Sequence, residues 1–190
     1  MVWRFSILTI FGVISGAGFG ALGAALTRST YVPVLIPVAL AAAVGVIVGL
    51  VVHLMAVRNR VVLTGAVLVS WMATIGAFHY VEYRYQFVPS MSELSALEGG
   101  PPLVSEVEQM AVSNMVLESS VGRAGFLGFL ELRARGGVRL RASNTIAPTL
   151  FAGLTVWLLD FVIGLMVLGR LVFGVSRRIQ VVVSEATAPL

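Results

Sequence analysis

Residues Val13–Leu26 read VISGAGFGALGAAL. Within them, Gly16-Ala17-Gly18-Phe19-Gly20-Ala21 satisfies the G-x-G-x-x-[GA] turn that cradles a dinucleotide pyrophosphate. Such a site needs a strand before the turn, a helix after it and a ribose-binding acid about 20 residues on. The region that would supply the acid, LIPVALAAAVGVIVGLV (35–51), is apolar throughout, and the first acidic residue of the chain is Glu82. The motif also lies in a run long enough to cross a bilayer, where a phosphate loop would leave backbone groups unsatisfied. No nucleotide is expected.

At helical spacing the same glycines align. Gly12, Gly16, Gly20 and Ala24 recur every four residues as a small-residue ridge, with Gly18 off it and Gly23 beside it. The next apolar run repeats the device with Ala41, Gly45 and Gly49, a face continued by His53. Small residues let helix backbones approach closely, and close packing drives association where the hydrophobic effect is absent. Two uses follow: the ridges pack on each other within the chain, or one of them meets another subunit.

Working outward, the 190 residues are 58% hydrophobic and 12% charged. A soluble domain carries about a quarter charged residues, so the solvent here is lipid. Four runs are long enough to span a hydrocarbon core as helices, which takes about 20 residues. They are about 5–26, 31–57 and 61–81, forming a first region 1–81, then 146–175; a tail, 176–190, follows. None alternates polar with apolar as barrel strands do. The expected fold is all-α, a polytopic membrane protein with four transmembrane helices and a helical extramembrane segment between the third and fourth. The first run follows Arg4 as a signal core would, but it is long and Leu26-Thr27-Arg28 is a poor cleavage context, so it reads as a retained span.

The second span carries Pro33 and Pro37. Pro33 suits a first turn, and Pro37 is expected to bend the helix there.

Residues 82–145 form the one long polar segment. It opens on the strip HYVEYRYQF (79–87), which suits a headgroup interface, because tyrosine has a wet and a dry end. The breaker EGGPP (98–102) is followed by two helical pieces. In the first, Ser105 and Glu108 form an expected capping box, and Val104, Val107, Met110, Ala111, Asn114, Met115, Leu117 and Glu118 a rough stripe with polar gaps. The second, 124–135, sets Phe126, Leu127, Phe129 and Leu130 beside Arg133 and Arg135 and stops at Gly136-Gly137. It either lies on lipid or packs on the ends of the spanning helices.

The formal net charge is +4, all the non-histidine basic residues being arginine. Because they flank apolar runs, anionic lipid is the expected partner and nucleic acid is not. Arg58, Arg60, Arg133, Arg135, Arg177 and Arg178 are the interface candidates. Counting short loops places Arg4, Arg58, Arg60 and the C-terminal tail inside, so both termini are expected to be cytoplasmic, in a bacterial cytoplasmic membrane.

Asp160 falls near the middle of the fourth run, where an ionisable group costs about 2.5–3.5 kcal/mol and faces a partner or a wet cavity. Its expected partners are Ser70 and Thr74 on the third span; it serves as interhelix polar glue or as part of an ion or proton path. His53 is a further polar candidate, near the same end as Arg170. His79 and Glu82 have a spacing that can hold a metal, but no further ligands are nominated, and no metal or cofactor is expected. Absence of cysteine excludes thiol chemistry and disulfides, and absence of lysine excludes Schiff-base chemistry. No nucleophile–base group is visible, so no enzyme is expected. The leading expectation is a non-catalytic integral membrane subunit that assembles with other membrane proteins or with copies of itself. The alternative is a small channel or transporter component with Asp160 in the path.

Overall fold

A computed structural model describes residues 2–27, 34–90, 105–136 and 150–186. They form six helices: α1 (Val2–Leu26), α2 (Leu35–Leu54), α3 (Arg60–Glu82), α4 (Glu106–Val121), α5 (Gly125–Gly136) and α6 (Leu150–Ala186). α1, α2, α3 and α6 are each long and apolar enough to cross a membrane. Pro33 lies outside the described residues, as does the EGGPP stretch.

Three boundaries differ from the expectation. α2 begins at Leu35, which places Pro37 in its first turn. A first-turn N–H has no partner within the helix, so proline costs no helical hydrogen bond there. α3 runs on past Glu82 through a π turn, Tyr83–Phe87, to Ser90. The Val88 N–H bonds the Tyr83 carbonyl, five residues back. This widened turn sits just before Pro89, which has no N–H for the carbonyl four residues earlier and crowds it. The tail expected from residue 176 is helical to Ala186; no glycine or proline interrupts it before Pro189.

The chain divides into two compact units. The first comprises residues 1–78 and 160–190. Here the α1 ridge faces α3, and the α2 ridge faces α6. A Cβ at Gly16 would lie 2.5 Å from the Ser70 carbonyl oxygen, and one at Gly12 or Gly20 would overlap Ser70 Oγ or the Thr74 carbonyl. A Cβ at Gly45 would lie 2.7 Å from Leu171, and one at Gly49 3.4 Å from Val175. Residue numbers rise together across both contacts, so α1 runs parallel to α3 and α2 to α6. The ridge glycines thus meet α3 and α6, while α1 meets α2 through Gly23 against Leu40, with Ala24 and Ala41 buried.

The partner of α1 is polar by design of its sequence. Ser70 and Thr74 are fully buried, and their hydroxyls donate back to the Ala66 and Ser70 carbonyls at 2.6 and 2.8 Å. Satisfied in this way, small hydroxyl residues present a flat face without leaving a polar atom unbonded in lipid. Trp71, also fully buried, fits over Gly164 and donates its indole N–H to the Phe161 carbonyl at 2.9 Å, joining α3 to α6. Outward, Ile14, Val46, Leu50, Val61, Met72 and Met166 are exposed. In a bilayer these side chains meet acyl tails.

The second unit is residues 79–159. Its core is Tyr83, Val88, Leu117 and Phe129, with Phe87, Met110 and Phe126 packed on it. Aromatic rings dominate: Tyr83–Phe129 and Phe87–Phe129 centroids are 5.5 and 5.3 Å apart, and Tyr80 meets Phe126 edge-on at 5.7 Å. Such pairs add about 0.5–1.5 kcal/mol beyond area burial. The strip 79–87 is therefore a packing surface for α5. The capping box at Ser105 and Glu108 is present. α4 ends at Gly122, whose φ of 76° needs glycine. Gly125, also left-handed, donates its N–H to Asn114 Oδ1 at 3.0 Å and so ties the start of α5 to α4. The expected α4 stripe is corrected in part: Ser113 and Leu117 are buried, whereas Val107 and Met115 are exposed.

Candidate functional site

Asp160 lies on α6 level with the start of α2, whose capping residue it bonds. It is buried, at 4% exposure. Its Oδ1 accepts the backbone N–H of Val34 at 2.9 Å. Val34 caps α2, and its φ of 67° is a left-handed conformation that β-branched residues avoid. The reason for the tie lies in the sequence of α2. A capping box would use a Glu or Gln at the third helical position to bond the cap N–H. Here that position is Pro37, and α2 has no acidic residue in its first turn. Asp160, 126 residues away, takes that role and places a carboxylate at the positive end of the helix.

Ser70 and Thr74, the expected partners of Asp160, instead bond their own helix under the α1 glycines. The partner that Asp160 takes lies at the cap of α2, not on α3, and nothing in the sequence shows which neighbour a helix face meets. His53 is corrected too. It is exposed in the last turn of α2, so the face of Ala41, Gly45 and Gly49 does not continue through it. Asp160 and His53 sit at opposite ends of α2 and are not brought together.

In the second unit, His79 and Glu82 are buried, with Nδ1 and Oε2 2.8 Å apart. Arg133 of α5 donates to Glu82 Oε1 at 3.0 Å, and the His79 ring stacks on Trp157 at 4.6 Å. Glu82 thus accepts from both sides, an arrangement that fixes the imidazole and draws α5 onto the end of α3. Among the described residues no group of three or more His, Asp or Glu side chains could hold a metal ion.

The interface arginines divide. Arg133 turns to Glu82, and Arg135 pairs with Glu131 one turn back. Arg58, Arg60, Arg177 and Arg178 are exposed. Val34, Trp71, Gly164 and the Glu82–Arg133 pair were not singled out from sequence. Only Trp71 and Gly164 carried a signal, a large and a small residue on two apolar spans.

These features define the class: a polytopic membrane protein, all-helical among the described residues, with four helices there able to span the bilayer and a helical segment between the third and fourth. No family model, curated protein or solved structure matches the chain.

Proposed function

We propose that the chain is a non-catalytic integral membrane subunit that assembles with other membrane proteins, both termini facing the cytoplasm. The observation that carries this reading is the use made of Asp160. A conduction path needs an ionisable group that exchanges its partners; this carboxylate holds the cap of α2 at 2.9 Å and is buried. That favours structural work over the alternative of a channel or transporter lined by Asp160. The α4–α5 pair supports assembly: one face builds its own core, while Val107, Met115 and Leu127 stay exposed for a further partner.

The test is the mass and composition of the particle after gentle extraction from its native membrane. Other chains in fixed stoichiometry are expected. A ring of this chain alone, or a bare monomer, would overturn the reading, and the ring would favour a pore.

A further inference from the structure

The N-terminal turn of α1 and the turn joining α2 to α3 enclose a cleft of about 640 Å³. Its walls include Trp3, Arg4, Val57, Arg58, Asn59 and Val62. That volume is in the range of small-molecule sites. Among the described residues the lining carries two guanidinium groups and no carboxylate. The Arg4 Cζ lies 5.6 Å from the centre of the Trp3 ring, a cation–π distance. Arg58 projects from the turn, next to Asn59, whose Oδ1 accepts the Val61 and Val62 N–H groups at 2.9 and 3.2 Å and starts α3. The positive end of α3 therefore lies at the same cleft.

The surroundings are apolar. Val57 and Val62 are buried at 4% and 9% exposure, whereas Leu54 and Val61, on either side of the turn, are open to lipid. Trp3, largely exposed, has the amphipathic character of a headgroup-level anchor. We propose that this cleft is a binding site for the phosphodiester headgroup of an anionic phospholipid. Arg4 and Arg58 take the phosphate oxygens, and the acyl chains run along Leu54 and Val61. Guanidinium forks match phosphate geometry, and basic pockets between spanning helices hold anionic headgroups. A zwitterionic headgroup would bring a positive group beside two guanidinium groups, and like-charge repulsion disfavours it. This site is independent of the subunit reading.

The test is native mass spectrometry of the full-length chain in detergent, titrated with phosphatidylglycerol or phosphatidylcholine of the same acyl chains. One phosphatidylglycerol should be retained in preference to phosphatidylcholine. The Arg4→Gln/Arg58→Gln variant should lose about tenfold in that retention. Arg177→Gln/Arg178→Gln, which removes the same charge from exposed positions, should keep it. Equal retention of the two lipids, or an equal loss in both double variants, would overturn the proposal. So would displacement of the lipid by inorganic phosphate at comparable concentration, which would make this a site for the free anion. Both variants replace exposed side chains, and matched circular dichroism spectra would confirm that each is folded.

Discussion

Replacing glycine by alanine at two positions of α1, Gly18 and Gly20, isolates the energy of its contact with α3. Both are helix-interior positions, so each gains the same helical propensity, about 1 kcal/mol. Their surroundings differ. A Cβ at Gly18 meets nothing within 4 Å. A Cβ at Gly20 overlaps the Thr74 carbonyl and lies 3.0 Å from its carbon and 3.1 Å from the Phe78 nitrogen. These are backbone atoms and cannot rotate away. Ordinary Cβ contacts begin at 3.4 Å, so the two helices must part by roughly 1 Å. Overpacking of this kind costs about 1–3 kcal/mol. Gly18→Ala should therefore be neutral or stabilising by up to about 1 kcal/mol. Gly20→Ala should be less stable than Gly18→Ala by about 1–3 kcal/mol, roughly a 5- to 150-fold difference in the unfolding constant. Reversible unfolding in mixed micelles of mild detergent and dodecyl sulfate, followed by far-ultraviolet circular dichroism, measures the difference. Equal midpoints and slopes for the two variants would refute the close approach of α1 to α3.

Three further outcomes follow from the ties described. Asp160→Asn keeps an oxygen for the Val34 N–H and should cost less than about 1 kcal/mol, whereas Asp160→Leu strands that donor and should cost about 2 kcal/mol; amide exchange in the first turn of α2 reads the contrast, and equal protection in both variants counts against the tie. Phe129→Ala removes a buried ring from the core of the second unit and should cost about 3–5 kcal/mol, while Leu127→Ala, exposed on the same helix, should change stability by less than about 0.5 kcal/mol. Exchange rates of the α4 and α5 amides decide that pair. Ser105→Ala breaks the capping box and should cost about 1 kcal/mol, seen as faster exchange confined to the first turn of α4.

Much of the architecture was legible because lipid imposes a simple rule. A spanning segment must satisfy its own backbone, so a long apolar run is a helix. Local chemistry was legible for the same kind of reason. The Ser105–Glu108 box involves residues within a turn of one another; Gly137, where the second piece is expected to stop, lies outside the described residues. Asp160 was visible as an ionisable residue in an apolar run, but nothing local placed it level with the cap of α2. Its partner was unreadable, since Val34 contributes only a backbone N–H and any residue type but proline could do so.

By itself the sequence determined the class of solvent, four helical spans, the small-residue faces and the capping of α4, all matters of composition or of contacts within a few residues. Tertiary structure alone decided which faces meet. It set the glycines of α1 on Ser70 and Thr74 of α3, those of α2 on α6, Trp71 over Gly164, and Arg133 on Glu82. Helical period fixes which residues share a face, but every neighbouring helix offers an apolar surface of similar energy. The choice among them rests on shape and on single hydrogen bonds between residues far apart in the chain.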